Sequence, residues 1–99
     1  MMEFLVKRAD GVRFDSHSMS YAEVLRPRSF PSRPSRPRDR GDFCLVVRGC
    51  RIVFCYKDPG WHLYFENDAL THAEAEQVVR EITESISKAT GQACQVFPK

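Results

Sequence analysis

No run of about 18 apolar residues occurs in this 99-residue chain, so it holds no helix able to span a bilayer. The opening MMEFLVKRADG has too short an apolar part for a secretory signal, and Glu3, Lys7, Arg8 and Asp10 come too early. An intracellular, cytoplasmic protein with reduced cysteines is the expectation. CxxC is absent as well. Spacers of five and four residues between Cys44, Cys50 and Cys55 match neither a zinc knuckle nor a ribbon, and Cys94 stands apart. Ligation of a metal by Cys44, Cys55 and His62 is weighed against small buried hydrophobes, and the second reading is preferred.

Catalytic signatures are also missing. His17, His62 and His72 fall in different predicted elements, and a Cys55–His62 pair has no third orienting group and no oxyanion donor. Glu74, Glu76, Glu81 and Glu84 read as the solvated face of a helix. The chain is therefore expected not to be an enzyme and to need no cofactor or metal.

What it does have is a dense cationic segment, RPRSFPSRPSRPRDRGD, at residues 26–42. Arg26, Arg28, Arg33, Arg36, Arg38 and Arg40 alternate with Pro27, Pro31, Pro34 and Pro37. Proline fixes φ and offers no N–H, which excludes an interior strand or a helix. With Phe30 as its one large apolar residue, the segment predicts a flexible extended arm or loop within a single domain of residues 1–99. The arm carries +4 of charge, leaving −2 for the rest of a chain whose net charge is +2. Basic character is thus local, suited to phosphate or to an acidic protein surface.

On either side of the arm the patterning is regular. Residues 3–15 read as two short strands around the turn Asp10-Gly11, the second carrying Val12 and Phe14. Ser20 and Glu23 have capping-box spacing, predicting a short helix from 21 to about 26 that Pro27 stops. Residues 43–56 predict a hairpin with a type II′ turn at Gly49-Cys50, pairing Leu45 with Phe54 and Cys44 with Cys55. Phe43, Leu45, Val47, Ile52, Phe54 and Tyr56 share one face of it, and Cys50 at its tip is the most accessible thiol expected. After Asp58-Pro59-Gly60, residues 61–66 continue the meander and put Trp61, Leu63 and Phe65 on that same face. Thr71 and Glu74 form a second capping box, opening a helix over 72–89 with Ala75, Val78, Val79, Ile82 and Ile86 in one stripe. Pairs Glu76–Arg80 and Glu84–Lys88 support it. Gly91 caps it, and residues 92–97 form a last strand.

The fold class expected is α+β: a twisted antiparallel sheet, meandering, with one long amphipathic helix packed on its aromatic face. The other face combines Cys44, Val46, Val53, Cys55, His62 and Tyr64 with Arg48, Arg51 and Glu66. It is too apolar for simple solvation and too charged for a core, a mixture found at partner interfaces. Partner-binding candidates are Arg48, Arg51, His62 and Tyr64. The arm's Arg28, Arg33, Arg36, Arg38 and Arg40 are candidates for an acidic partner or nucleic acid. An exposed sheet edge also admits a homodimer.

Residues 41–97 resemble small immunity proteins of bacterial polymorphic toxin systems. The features that carry the likeness are Asp42-Phe43 opening the hairpin, the turn before Trp61, and Leu70-Thr71 leading into a helix ended by Gly91 and a short strand. The Arg/Pro segment is not part of that pattern. The resemblance implies a non-enzymatic protein that binds one cognate toxin and blocks its active site. A protein-binding module of inhibitor or immunity type is the leading expectation, and a nucleic-acid-binding module acting through the arm is the alternative.

Overall fold

The computed structural model describes residues 2–11, 20–35, 41–57 and 60–98. Six antiparallel strands form one sheet: β1 (Met2–Arg8), β2 (Ser32–Ser35), β3 (Phe43–Val47), β4 (Cys50–Lys57), β5 (Gly60–Phe65) and β6 (Cys94–Pro98). Their order across the sheet is β2-β3-β4-β5-β1-β6. A four-residue helix α1 (Tyr21–Val24) and a nineteen-residue helix α2 (His72–Thr90) complete the chain. The α+β architecture expected from the sequence is the one observed, and β3-β4-β5 is its meander.

Alternation along the strands builds the core. Phe4, Val6, Leu45, Ile52, Phe54, Trp61, Leu63 and Phe65 all turn to one side and are buried. The α2 stripe of Ala75, Val78, Val79, Ile82 and Ile86 closes over them. Each such side chain withdrawn from water contributes on the order of 1.5–3 kcal/mol. The helix begins where the capping box places it: Glu74 N–H donates to Thr71 Oγ1 at 3.1 Å, and Thr71 N–H to Glu74 Oε1 at 2.9 Å. Gly91 is its C-cap. Tyr21 of α1 meets Trp61 edge-on, ring centroids 5.1 Å apart, so α1 lies on the same side of the sheet as α2.

The β3–β4 hairpin differs from the expected register. Its turn is Arg48-Gly49, both at positive φ (49° and 77°), which makes it type I′ rather than II′. Val47 pairs with Cys50, Leu45 with Ile52, Cys44 with Val53 and Phe43 with Phe54. The displacement is two residues along β4, and because side chains alternate with period two, both predicted faces survive apart from Arg48, which passes into the turn. Two corrections follow from it. Cys44 and Cys55 do not oppose each other, and Cys50 is fully buried rather than accessible. The ladder continues beyond β3 through Asp42, whose N–H donates to Phe54 O at 2.8 Å and whose carboxylate accepts Tyr56 N–H at 2.6 Å.

Gly60 sits where β5 runs against β1. A Cβ there would come within 2.1 Å of Val6 O, so only glycine allows the strands to close. The Ser20 side chain makes no cap bond to α1, and the helix stops at Val24, earlier than the predicted Arg26. Strand β1 is present as expected, with a turn at Ala9-Asp10 before Gly11, while Val12 and Phe14 lie outside the described residues.

The first part of the Arg/Pro segment is folded onto the body. Ser32–Ser35 pairs with β3 as an edge strand, and Pro27 is buried. Its anchor is Glu81. The sequence reading placed Glu81 on the wet face of α2, but the residue is 2% exposed. Glu81 Oε1 accepts the N–H groups of Arg28 and Ser29, each at 2.7 Å, and Oε2 accepts the Gln77 amide. A chain with prolines at 27 and 31 has few N–H groups to offer, and this carboxylate takes two of them. The predicted helix pairs are also rearranged. Glu84 pairs with Arg28 at 2.7 Å and Glu76 with His72 at 2.8 Å.

Candidate functional site

The register arranges the side of the sheet opposite α2 in rows running across the strands. One row is Arg33, Val46, Arg51. The next is Ser35, Cys44, Val53, Tyr64, Glu3. Cys55, His62, Leu5 and Phe97 form a third, and Lys57, Gly60, Lys7 and Gln95 a fourth. Accessibility is graded over this face. Cys44 is fully buried, and Cys55 and His62 are nearly so at 8% and 9%. Val46, Val53, Tyr64, Leu5 and Lys7 are half-buried, and Phe97 is 38% exposed. Among the described residues Phe97 is the one large hydrophobic side chain that counts as exposed.

Three of the four predicted partner-binding residues belong to this face. Tyr64 and His62 are ring neighbours, nearly parallel (14°) with centroids 6.4 Å apart. His62 is too enclosed to meet a partner broadly, so its contribution is to back Tyr64. Arg51 is half-buried, and its Nη1 is a buried donor with no acceptor. Leaving such a charged donor unpaired costs on the order of 1–3 kcal/mol. Arg48 is elsewhere. It occupies the hairpin turn, pairs with Glu74 at the start of α2, and lies over the Phe30 ring at 4.9 Å. A long side chain at a turn can reach either side, and here the carboxylate of the helix cap draws it away from the outer face.

The arm's arginines divide likewise. Arg33 is exposed on β2, in one row with Arg51 across Val46. Arg28 is engaged by Glu84, and Arg26 donates to Ser32 O at 2.9 Å. Arg36, Arg38 and Arg40 lie outside the described residues. Leu5, Lys7 and Phe97 were not singled out from sequence, yet they form the most open corner of the face. Lys7 Nζ stands 4.7 Å from the Phe97 ring centroid, a cation–π pair at the surface. The signal was present in the alternation of β1, whose Glu3, Leu5 and Lys7 must point away from Phe4 and Val6.

Burial pushes the Cys55 thiol above its ordinary value, and the charge of Asp42 adds to it. The Tyr64 hydroxyl is raised too, by burial and then by Glu3. Among the described residues no group of three His, Cys, Asp or Glu side chains could hold a metal ion. All four cysteines are unbridged. The face is an aromatic and aliphatic patch bounded by Arg33, Arg51, Lys7 and Lys57, with Glu3 in the second row and Glu66 across from Arg51, to whose O it donates its N–H at 3.0 Å. Comparison with protein-family models, with curated proteins and with solved structures finds no match to this chain.

Proposed function

We propose that this protein is a small binding module of the inhibitor or immunity type, and that it engages an acidic protein partner through the outer face of its sheet. The half-buried Arg51 carries the reading: its Nη1 has no acceptor where it is packed, and turning the guanidinium outward, over the adjacent row of Val53 and Tyr64, would bring it to a carboxylate. The acidic surface is a poorer candidate. Glu81 is spent on the docked arm, Glu84 on Arg28, Glu74 on Arg48 and Glu76 on His72. An inhibitor that mimics nucleic acid needs uncommitted carboxylates, and α2 has few to give. The mixture of Tyr64, Phe97 and arginine is that of an interface centre, with Lys7 and Lys57 as its wet rim.

The test is affinity capture of the full-length protein from its native cells with and without nuclease, followed by the same capture with Arg51→Glu and Tyr64→Ala. One stoichiometric protein that survives nuclease and is lost with either substitution is the expected result. Retention by both variants would remove the outer face from the interaction. Capture of nucleic acid alone, released by nuclease or high salt, would replace this reading with the arginine-arm alternative.

A further inference from the structure

Ser29 is exposed, between the buried Pro27 and the half-buried Phe30. Its backbone N–H is fastened to Glu81 Oε1 at 2.7 Å, and Arg28 beside it reaches Glu84 Oε2 at 2.7 Å. Two carboxylates therefore stand beside one exposed serine, whose hydroxyl also bonds to Glu81. In sequence Ser29 has Arg26 at −3, Arg28 at −1 and Phe30 at +1. Serine kinases whose substrate grooves are lined by carboxylates select their substrates by arginines at such offsets. Thr83 provides an internal contrast. Arg80 precedes it by three residues, but its hydroxyl is buried and donates to Val79 O at 2.7 Å within the helix.

We propose that Ser29 is a phosphorylation site for a basophilic serine kinase, and that the phosphate releases residues 26–31 from α2. In the transfer, Ser29 Oγ forms a bond to the γ-phosphorus of ATP. The bond from that phosphorus to the β,γ-bridging oxygen breaks, ADP departs, and the hydroxyl proton passes to the kinase's catalytic carboxylate. The product places a charge of about −1.5 to −2 beside Glu81 and Glu84. Glu81 is packed into the helix and cannot retreat, so the segment must. Its polar hold runs mainly through that one carboxylate, which takes two N–H groups and the Ser29 hydroxyl, beside the buried Pro27 and an exposed ion pair of little worth. Arg28 would further be drawn from Glu84 to the stronger anion. This inference stands apart from the outer-face reading and shares no residue with it.

The experiment incubates the full-length chain with ATP and a kinase that requires arginine at −3, maps the sites by mass spectrometry, and follows amide exchange before and after. Incorporation is expected at Ser29 and not at Thr83, at a rate at least about tenfold lower for Arg26→Ala. Exchange at the Arg28 and Ser29 amides should then speed up by about tenfold or more, with β3, β4 and β5 unchanged. Glu81→Gln keeps the shape and removes the charge. It should raise the phosphorylation rate severalfold and shrink the phosphate-induced gain in exchange. No phosphate at Ser29, or preferential modification of another residue, overturns the site. Phosphate at Ser29 with unaltered exchange overturns the release.

Discussion

On the side of the sheet facing α2, Phe54, Leu63 and Phe65 are fully buried, and the helix stripe meets them without a polar interruption. One residue further along the same strands, Val53 and Tyr64 are half-buried, and Arg51 holds a guanidinium nitrogen with no acceptor. Backbone, pairing partners and strand twist are common to both sides, so the contrast belongs to the side chains alone. Fold stability is concentrated on the first side, where Trp61 Nε1 is also a buried donor without an acceptor, while the second side keeps a charged donor in that state. An unpaired cationic donor on the outer face costs stability, and the proposed partner contact is the reading that gives that cost a use.

The sharpest way to break this contrast is to truncate matched positions on the two sides. Phe54→Ala should cost about 3–5 kcal/mol in urea unfolding, since it opens a cavity at the centre of the core. Tyr64→Ala should cost only about 1 kcal/mol while abolishing partner capture. Equal losses from the two would mean that the outer side is core as well. Next in size is Glu81→Ala, which strands two backbone N–H groups. A loss of about 1–3 kcal/mol is expected, with proteolytic sensitivity appearing between residues 26 and 35 ahead of global unfolding. Resistance equal to that of the parent protein would mean that β2 alone retains the segment.

Acid provides a finer probe of the same carboxylate. Burial acts to raise the Glu81 pKa, but the Ser29 hydroxyl, the Gln77 amide and the N–H groups of Ser29 and Arg28 outweigh it and lower it from 4.5 to about 2. A carboxyl depressed in the folded state stabilises it above the ordinary value and loses that contribution as pH falls from 4.5 toward 2. Stability should therefore decline over that window, and Glu81→Gln should flatten the slope there. Parallel pH profiles for the two proteins would show that Glu81 does not couple the arm to folding. The smallest effect expected is from Lys7→Ala. It should leave stability within about 0.5 kcal/mol and weaken capture modestly, as befits a rim contact, which titration of the purified partner would measure.

Much of this was readable in the residues. Thr71 and Glu74 announced α2 to the residue, because a reciprocal cap needs only those two side chains at that spacing. The two sheet faces were legible for a different reason. Alternation survives any even shift in register, so placing the turn at Gly49-Cys50 instead of Arg48-Gly49 left the strand side chains on their proper sides, Arg48 of the turn excepted. What the pattern missed was an arginine at positive φ, an uncommon choice that the Glu74 and Phe30 contacts accompany. Glu81 was misread because it flanks the apolar stripe and has the same spacing as its solvated neighbours. Only the needs of a distant chain identify it. The clue lay in residues 28 and 29, two consecutive peptide donors between prolines with no strand to receive them. Arg48 shows the same limit, since a turn residue's direction depends on which carboxylate is near.

Both edges of the sheet end in a strand that contains proline: Pro34 in β2 and Pro98 in β6. A proline cannot donate to an incoming strand, and in β2 it is flanked by the exposed charge of Arg33. Pro34 interrupts the β2 margin, and Pro98 ends the β6 margin after four residues. The consequence is colloidal. A sheet margined in this way is a poor template for edge-to-edge stacking into fibrils.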